Sequence, residues 1–220
     1  MRIAVLFYGR LRKFKEHREN FLDSIGRDNT LDIFYSADAE PQSDIQEFVD
    51  LYKPVCYSND PIENTIEPLL YKYKNPPSPD HYDRTNVKNM TRHFYNKKRV
   101  VGLLDDYIRE TGTKYNVVVF LRFDLFYKEP FVFQEVKENT VYIPEGHNYA
   151  LLAVNDQLAY GSFEAMKKYM TLYDNVVSFL DQDAFLHPES LHYWNLRHHG
   201  IQVVRYPFSY TLFLANGRTL

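Results

Sequence analysis

Residues 115–128 read YNVVVFLRFDLFYK, and within them Val117–Leu121 is an unbroken apolar run rich in valine. A short β-branched run without polar alternation describes a strand covered on both faces, as in the interior of a parallel sheet. The run stops at Arg122, Asp124 follows, and apolar sequence then resumes. Charge at the end of a buried strand is costly unless it faces a ligand, a metal or an opposite charge. In open α/β sheets ligands bind beyond the carboxyl ends of the strands. Arg122 and Asp124 therefore mark the first candidate site; a salt bridge between them that closes the strand is the plain alternative.

The rest of the chain alternates strand and helix patterns around this run. Residues 3–7 form a short strand ending in Tyr8, Gly9, Arg10, Leu11 and Arg12. Gly9 permits a tight turn or close ligand approach. Arg10 and Arg12 put positive charge at a strand end, either for a phosphate or as surface charge. Neither a Walker loop nor GxGxxG is present, which gives a P-loop or dinucleotide site little support. Leu11, Phe14, Arg18, Phe21, Leu22 and Ile25 recur at helical spacing up to Gly26. A strand at 31–36, a helix at 41–52 and a strand at 55–57 follow, an order that predicts parallel crossovers.

Residues 59–86 break the rhythm with Pro61, Pro68, Pro76, Pro77 and Pro79; a loop this long inside a domain is usually functional or mobile. Residues 87–112 read as one long helix or two in succession. Met90, Phe94, Val101, Leu104, Tyr107 and Ile108 form its buried stripe, with Arg92, Lys97, Lys98 and Arg99 decorating it. Beyond the central strand come a strand at 141–143, apolar residues leading into Asn155, Asp156 and Gln157, and an apolar 158–160. Gly161 and Ser162 open a helix with Ser162 as N-cap. A helical stretch spans 176–180. His187, Pro188 and Glu189 start another helix, with proline at its first position, and Gly200 ends it. Strands at 201–206 and 210–214 close the pattern.

At 220 residues the chain fits one domain with a full core. A formal charge of −3 gives no basic surplus for a nucleic-acid partner. Its single cysteine, Cys56, excludes an intramolecular disulfide and a cysteine-based zinc site and suits a reducing compartment. The first apolar run is too short for a signal peptide, and no stretch approaches the ~20 apolar residues of a membrane span. The expectation is a soluble cytosolic protein. The 19 Tyr and 16 Phe residues suit either stacking on bases and sugar rings or an aromatic-rich core.

Four segments carry a resemblance: IAVLFYGRLR, VVVFLRFD, NDQLAYGSFEAM, and HPESLHYWNL followed by GIQVVRY. Together, in this order, they resemble nucleotide-sugar glycosyltransferases of the GT-A type, in the small soluble group of large DNA viruses and bacterial polysaccharide clusters. The resemblance implies a single GT-A-like, Rossmann-like α/β domain: a mixed, mainly parallel sheet with helices on both faces. Residues 1–128 would be its nucleotide-binding half and 129–220 its acceptor-binding half. It implies transfer of a sugar from a nucleoside diphosphate sugar, UDP-sugar favoured, to a glycan or glycoprotein acceptor, in the host cytoplasm if the chain is viral.

In that family the first strand–helix loop seats the nucleotide, which maps onto Tyr8, Gly9, Arg10 and Arg12. An Asp-x-Asp motif at the central strand end holds a metal and the diphosphate. Here it reads Arg122-Phe123-Asp124, with one acid replaced by a cation. Asp124 can ligate Mn²⁺ or Mg²⁺, while Arg122 can contact phosphate directly, so metal dependence stays open. Asp38-x-Glu40, at an earlier strand end, is the rival metal site. Asp181-Gln182-Asp183 follows a helical stretch and reads as surface or acceptor-loop charge. By resemblance, Asp156 is the base on the acceptor hydroxyl or an acceptor-binding group, against an Asx-turn or helix cap. Gln157 would meet a sugar hydroxyl, and His187 is a further candidate metal ligand. Residues 75–86 would order over the donor as a lid. Two other readings remain: a sugar-nucleotide or carbohydrate-binding protein without catalysis, and a nucleotidyltransferase, whose usual glycine-rich first loop is not evident.

Overall fold

The computed structural model describes residues 1–73, 86–146, 152–213 and 219. The chain forms β1 (Arg2–Tyr8), α1 (Phe14–Phe21), β2 (Thr30–Ser36), α2 (Gln42–Tyr52), β3 (Cys56–Ser58) and α3 (Glu67–Leu70). After these come α4 (Val87–Thr111), β4 (Val117–Leu121), β5 (Leu125–Tyr127), β6 (Thr140–Pro144) and β7 (Leu158–Gly161). α5 (Phe163–Met170), α6 (Val176–Leu180), α7 (Pro188–His198), β8 (Gln202–Tyr206) and β9 (Tyr210–Leu212) complete it. The proline-rich segment expected as a lid falls, at 74–85, outside the described residues.

The main sheet has seven strands in the order β3-β2-β1-β4-β7-β6-β8. β7 is antiparallel to both of its neighbours, and the other pairings are parallel. Period-two alternation sorts side chains between two layers. Ile3, Val5, Phe7, Val117, Val119 and Leu121 face α1 and α2, meeting Phe14, Phe21, Ile45, Phe48 and Tyr52. Ala4, Leu6, Tyr8, Val118 and Phe120 face α4, α5 and α7, meeting Val100, Leu104, Met166, Tyr169 and Leu196. Every residue of β4 is buried, as its uninterrupted apolar run demands. A third cluster, with Leu70, Phe94, Phe179 and Leu191, packs α3, α6 and α7 against the first half of α4.

Local signals set most boundaries. The Asn86 side chain accepts from the Asn89 amide at 2.9 Å, and Gly112 at φ 67° closes α4, so residues 87–111 are one helix. Ser162 caps α5, accepting from the Ala165 amide, and Pro188 opens α7. Two boundaries differ from expectation. α1 starts at Phe14 rather than Leu11, because Lys13 adopts a left-handed conformation at φ 58°; residues 9–13 are therefore loop. Gly161 belongs to β7, not to the helix after it. The apolar residues after Asp124 make β5, which pairs with β9 in a separate two-stranded sheet. Among the described residues no helix is long and apolar enough to cross a membrane.

Gly161 lies opposite Val118 and Val141. A Cβ there would sit 2.7 Å from the Thr140 carbonyl oxygen, a backbone atom that cannot swing away. Gly161→Ala is expected to force β6 and β7 apart and cost about 1–3 kcal/mol, read from urea denaturation midpoints.

Candidate functional site

β1, β2 and β4 run in register, with Phe7 beside Tyr35 and Leu121, and Tyr8 beside Ser36. Their following loops leave from one edge of the sheet. β7 starts there too, since its antiparallel pairing sets Leu158 beside Leu121. This topology gathers Gly9–Arg12, Asp38–Glu40, Arg122–Asp124 and Asp156 at one edge, roofed by the first half of α4.

A cleft of about 290 Å³ opens between the first two loops and α4, lined by Gly9, Arg10, Asp38, Glu40, Asn89, Arg92, His93 and Asn96. Gly9 takes φ 84°, and nothing stands within 4 Å of where its Cβ would be. Its amide donates to the Ser36 carbonyl at 2.9 Å, and its carbonyl accepts from Tyr35 Oη at 2.8 Å. Asp38 is committed: Oδ2 pairs with Arg92 Nε at 3.0 Å and Oδ1 accepts the Ile62 amide at 3.0 Å. Burial pushes the Glu40 carboxyl pKa up, with Arg10 pulling it back. Half-buried His93 lies edge-on to the Tyr8 ring at 5.8 Å. Burial and then the Arg122 charge lower its pKa, so its imidazole is neutral at neutral pH.

A second, smaller recess adjoins the cleft through Arg10 and is lined by Tyr8, Arg12, Arg122, Phe123 and Asp124. Phe123 anchors it by stacking on Phe7 at 4.1 Å. The Asp124 carbonyl accepts the Phe213 amide at 2.9 Å. Arg122 and Asp124 form a two-point pair, Nε to Oδ1 at 2.8 Å and Nη2 to Oδ2 at 2.7 Å. The Asp124 side chain is 4% exposed and both its oxygens are taken. Burial disfavours the Arg122 charge, but the adjoining carboxylate outweighs it and raises the pKa. The residues present do not fit the divalent cation that the resemblance implies. Asp124 is almost wholly buried with each oxygen already accepting from Arg122, and among the described residues no three His, Cys, Asp or Glu side chains converge on a cation position. His187 stands at the N-cap position of α7. Burial lowers its pKa, and the carboxylate that opposes this is Asp156. Asp181 takes Lys72 and the Tyr73 hydroxyl.

Asp156 stands on a clamped turn. Tyr8 Oη donates to its backbone carbonyl at 3.2 Å, and Lys97 Nζ donates to the same oxygen at 2.9 Å. The neighbouring Asn155, fully buried, supplies the Asx-turn: its Oδ1 accepts the Gln157 amide at 2.8 Å. Asn155 Nδ2 donates to Tyr210 Oη at 2.6 Å, and that hydroxyl donates to Gln157 Oε1 at 3.2 Å. Gln157, expected at a sugar hydroxyl, is buried and braces the loop. The half-buried Asp156 carboxylate accepts no hydrogen bond and makes no ion pair among the described residues. Its charge acts on Tyr8, His93, Lys97, Arg122 and His187.

Lys97 corrects the reading of α4. Rather than decorating the helix, it is wholly buried. Its ammonium sits near the Tyr8 and Phe120 rings, 5.1 and 4.7 Å from their centroids, and donates to His192 Nε2 at 2.9 Å. That bond places the His192 proton on Nδ1, which is buried without a hydrogen-bond partner among the described residues. The missed signal is spacing: Met90, Phe94, Lys97, Val101 and Leu104 advance by fours and threes, the step of one helix face.

No protein-family model and no curated protein matches this sequence. Among solved structures, the chain is similar to the apo glycosyltransferase GlyE of Streptococcus pneumoniae TIGR4. The TM-score is 0.50 at 11% identity, over 91% of this chain and 44% of that one. It is also similar to apo mouse xyloside xylosyltransferase 1, with a TM-score of 0.49 at 13% identity, over 94% of this chain and 85% of that one. The GlyE likeness is one of fold: the chain has a GT-A-like mixed α/β architecture and spans less than half of GlyE.

Burial, opposed by Asp156 and reinforced by Arg122, lowers the Lys97 pKa to about 8, below the roughly 10.4 of an unfolded lysine. Between these values the unfolded chain binds more protons, so raising the pH favours the folded state. Relative to Lys97→Met, the wild type is expected to gain stability as pH rises from about 8 towards 10, measured by urea denaturation at each pH.

Proposed function

We propose that this chain is a glycosyltransferase that moves a sugar from a nucleoside diphosphate sugar, a UDP-sugar first, to a glycan or glycoprotein hydroxyl. One observation carries the reading. At one edge of a GT-A-like sheet, a recess lined by Arg10, Arg12 and Arg122 lies beside the turn that carries Asp156, a carboxylate that is unpaired among the described residues and whose charge acts on Arg122 and His93. The fold class admits this activity but does not by itself imply it; the site chemistry is what favours it.

In this proposal the base and ribose occupy the cleft between Gly9, Asp38–Glu40 and α4, where Glu40 accepts from a ribose hydroxyl or a base N–H group. The diphosphate lies over Arg10, Arg12 and Arg122. The sugar then points towards Asp156. The Asp156 carboxylate takes the proton of the acceptor hydroxyl as its oxygen attacks the anomeric carbon. The bond from that carbon to the diphosphate oxygen breaks, and its electron pair leaves with the nucleoside diphosphate. The clamp from Tyr8 and Lys97 fixes the backbone of the turn that carries the carboxylate, which lessens reorganisation in the reaction step.

Thermal melting against a panel of nucleotide sugars tests the reading, since a ligand of the folded state raises Tm. One donor is expected to raise it, and the same donor to be turned over when a carbohydrate acceptor is supplied. Asp156→Asn is expected to keep the shift and lose turnover by about 10²-fold or more. Donor binding without turnover would assign a binding protein. Pyrophosphate release from a nucleoside triphosphate would assign a nucleotidyltransferase. No shift with any donor, in folded protein, would end the proposal.

A further inference from the structure

We infer that the donor diphosphate is neutralised by arginine side chains and that this chain binds its nucleotide without a divalent cation. The inference rests on the donor reading above. It starts from Asp124, the one acid left at the position where the resemblance places a metal. Both carboxylate oxygens accept from Arg122, at 2.8 and 2.7 Å, and the side chain is almost wholly buried. A cation bound there would have to share both oxygens with Arg122 and sit beside a buried guanidinium, a second positive charge in the same place.

Asp156 is open but stands alone, since among the described residues no two further His, Cys, Asp or Glu side chains converge with it, and the other two acids at this edge are no better placed than Asp124. Asp38 has both oxygens engaged, by Arg92 and by the Ile62 amide. Glu40 is half-buried, with a pKa pushed up, and faces Arg10 and Arg12.

The cationic side of the site is complete without a metal. Arg10, Arg12 and Arg122 share one recess with a single carboxylate, Asp124. Among the residues lining the recess the cations exceed the carboxylate by two, the charge of a nucleotide sugar's diphosphate, while Glu40 faces Arg10 and Arg12 from the adjoining cleft. Arg122 has capacity to spare: a guanidinium has five N–H groups, and two serve Asp124, which leaves three. Those remaining donors sit on a plane already fixed by Asp124, so little is lost in ordering them on a phosphate. Arg10 is exposed and lines both the cleft and the recess, at the junction where ribose gives way to phosphate. Asp124 thus acts as a positioning residue that holds Arg122 flat. As the anomeric bond breaks, the charge gathering on the diphosphate falls on guanidinium groups.

Calorimetric titration of the purified chain with UDP and with GDP, in EDTA and again with Mn²⁺ or Mg²⁺, tests this. Binding of one nucleotide is expected in EDTA, with Kd changed less than about threefold by either metal and weakening as salt screens the charges. Arg10→Met, a change on an exposed loop, is expected to weaken binding about tenfold. Asp124→Asn is the decisive variant. It loosens Arg122 and removes the supposed metal ligand together, so binding is expected to weaken severalfold, by the same factor in EDTA and in Mn²⁺. Binding that needs Mn²⁺ would overturn the inference and leave the donor reading standing. So would a loss in Asp124→Asn seen only when Mn²⁺ is present. No binding of UDP, GDP or any nucleotide sugar, with or without metal, would overturn both.

Discussion

The Lys97 ammonium is held where α4, α7 and the ends of β1 and β7 meet, and no part of the side chain reaches the surface. Burying such a charge costs several kcal/mol unless dipoles replace its hydration. The replacements here are the Asp156 carbonyl, His192 Nε2 and the faces of aromatic rings. Each partner is itself placed by the ammonium. Its carbonyl contact holds the turn that carries Asp156, and its contact with His192 fixes that ring's tautomer. His192 in turn stacks on Tyr169 at 4.6 Å, and Tyr169 Oη donates to the Asn155 carbonyl. A mislaid Lys97 would loosen the helices over one face of the sheet and the proposed catalytic turn together.

The reversed strand is the second constraint. Had β7 run parallel to β4, the residues before it would have emerged at the far edge of the sheet, away from the arginines. Antiparallel pairing returns Asp156 to the edge where β1, β2 and β4 end. A carboxylate from late in the chain thereby meets guanidinium groups from its start and middle. The two roles proposed for the site, holding an anion and drawing a proton from a hydroxyl, fall to opposite charges carried beside different strands.

Much of this was legible in the residues because it is local. The valine-rich run gave its own burial, Ser162 and Pro188 marked helix starts, and Gly112 marked a helix end. The strand-end positions of Gly9, Arg10, Arg12, Arg122 and Asp124 followed from the apolar runs before them. What escaped depends on distant partners. An apolar run such as 158–160 reads alike in either direction, so the reversal of β7 was hidden. Lys97 lay on the buried face by spacing, but its charge masked the pattern, and only His192 and the Asp156 carbonyl, far along the chain, explain why a lysine is tolerated there. Whether Asp124 faces a metal or an arginine is set by two side chains that close on each other in space.

The last described strand bears on when the site exists at all. Tyr210, in β9, holds both Asn155 and Gln157, and Phe213 just beyond it ties to the Asp124 backbone. The small sheet that β9 makes with β5 thus seals both charged loops from the far end of the sequence. During synthesis, where amino-terminal structure forms first, the seven-stranded sheet has all its strands before these seals arrive. A nascent chain would already own a cleft and arginines while its proposed catalytic turn was still unbraced. The brace on that turn therefore forms after the sheet it serves.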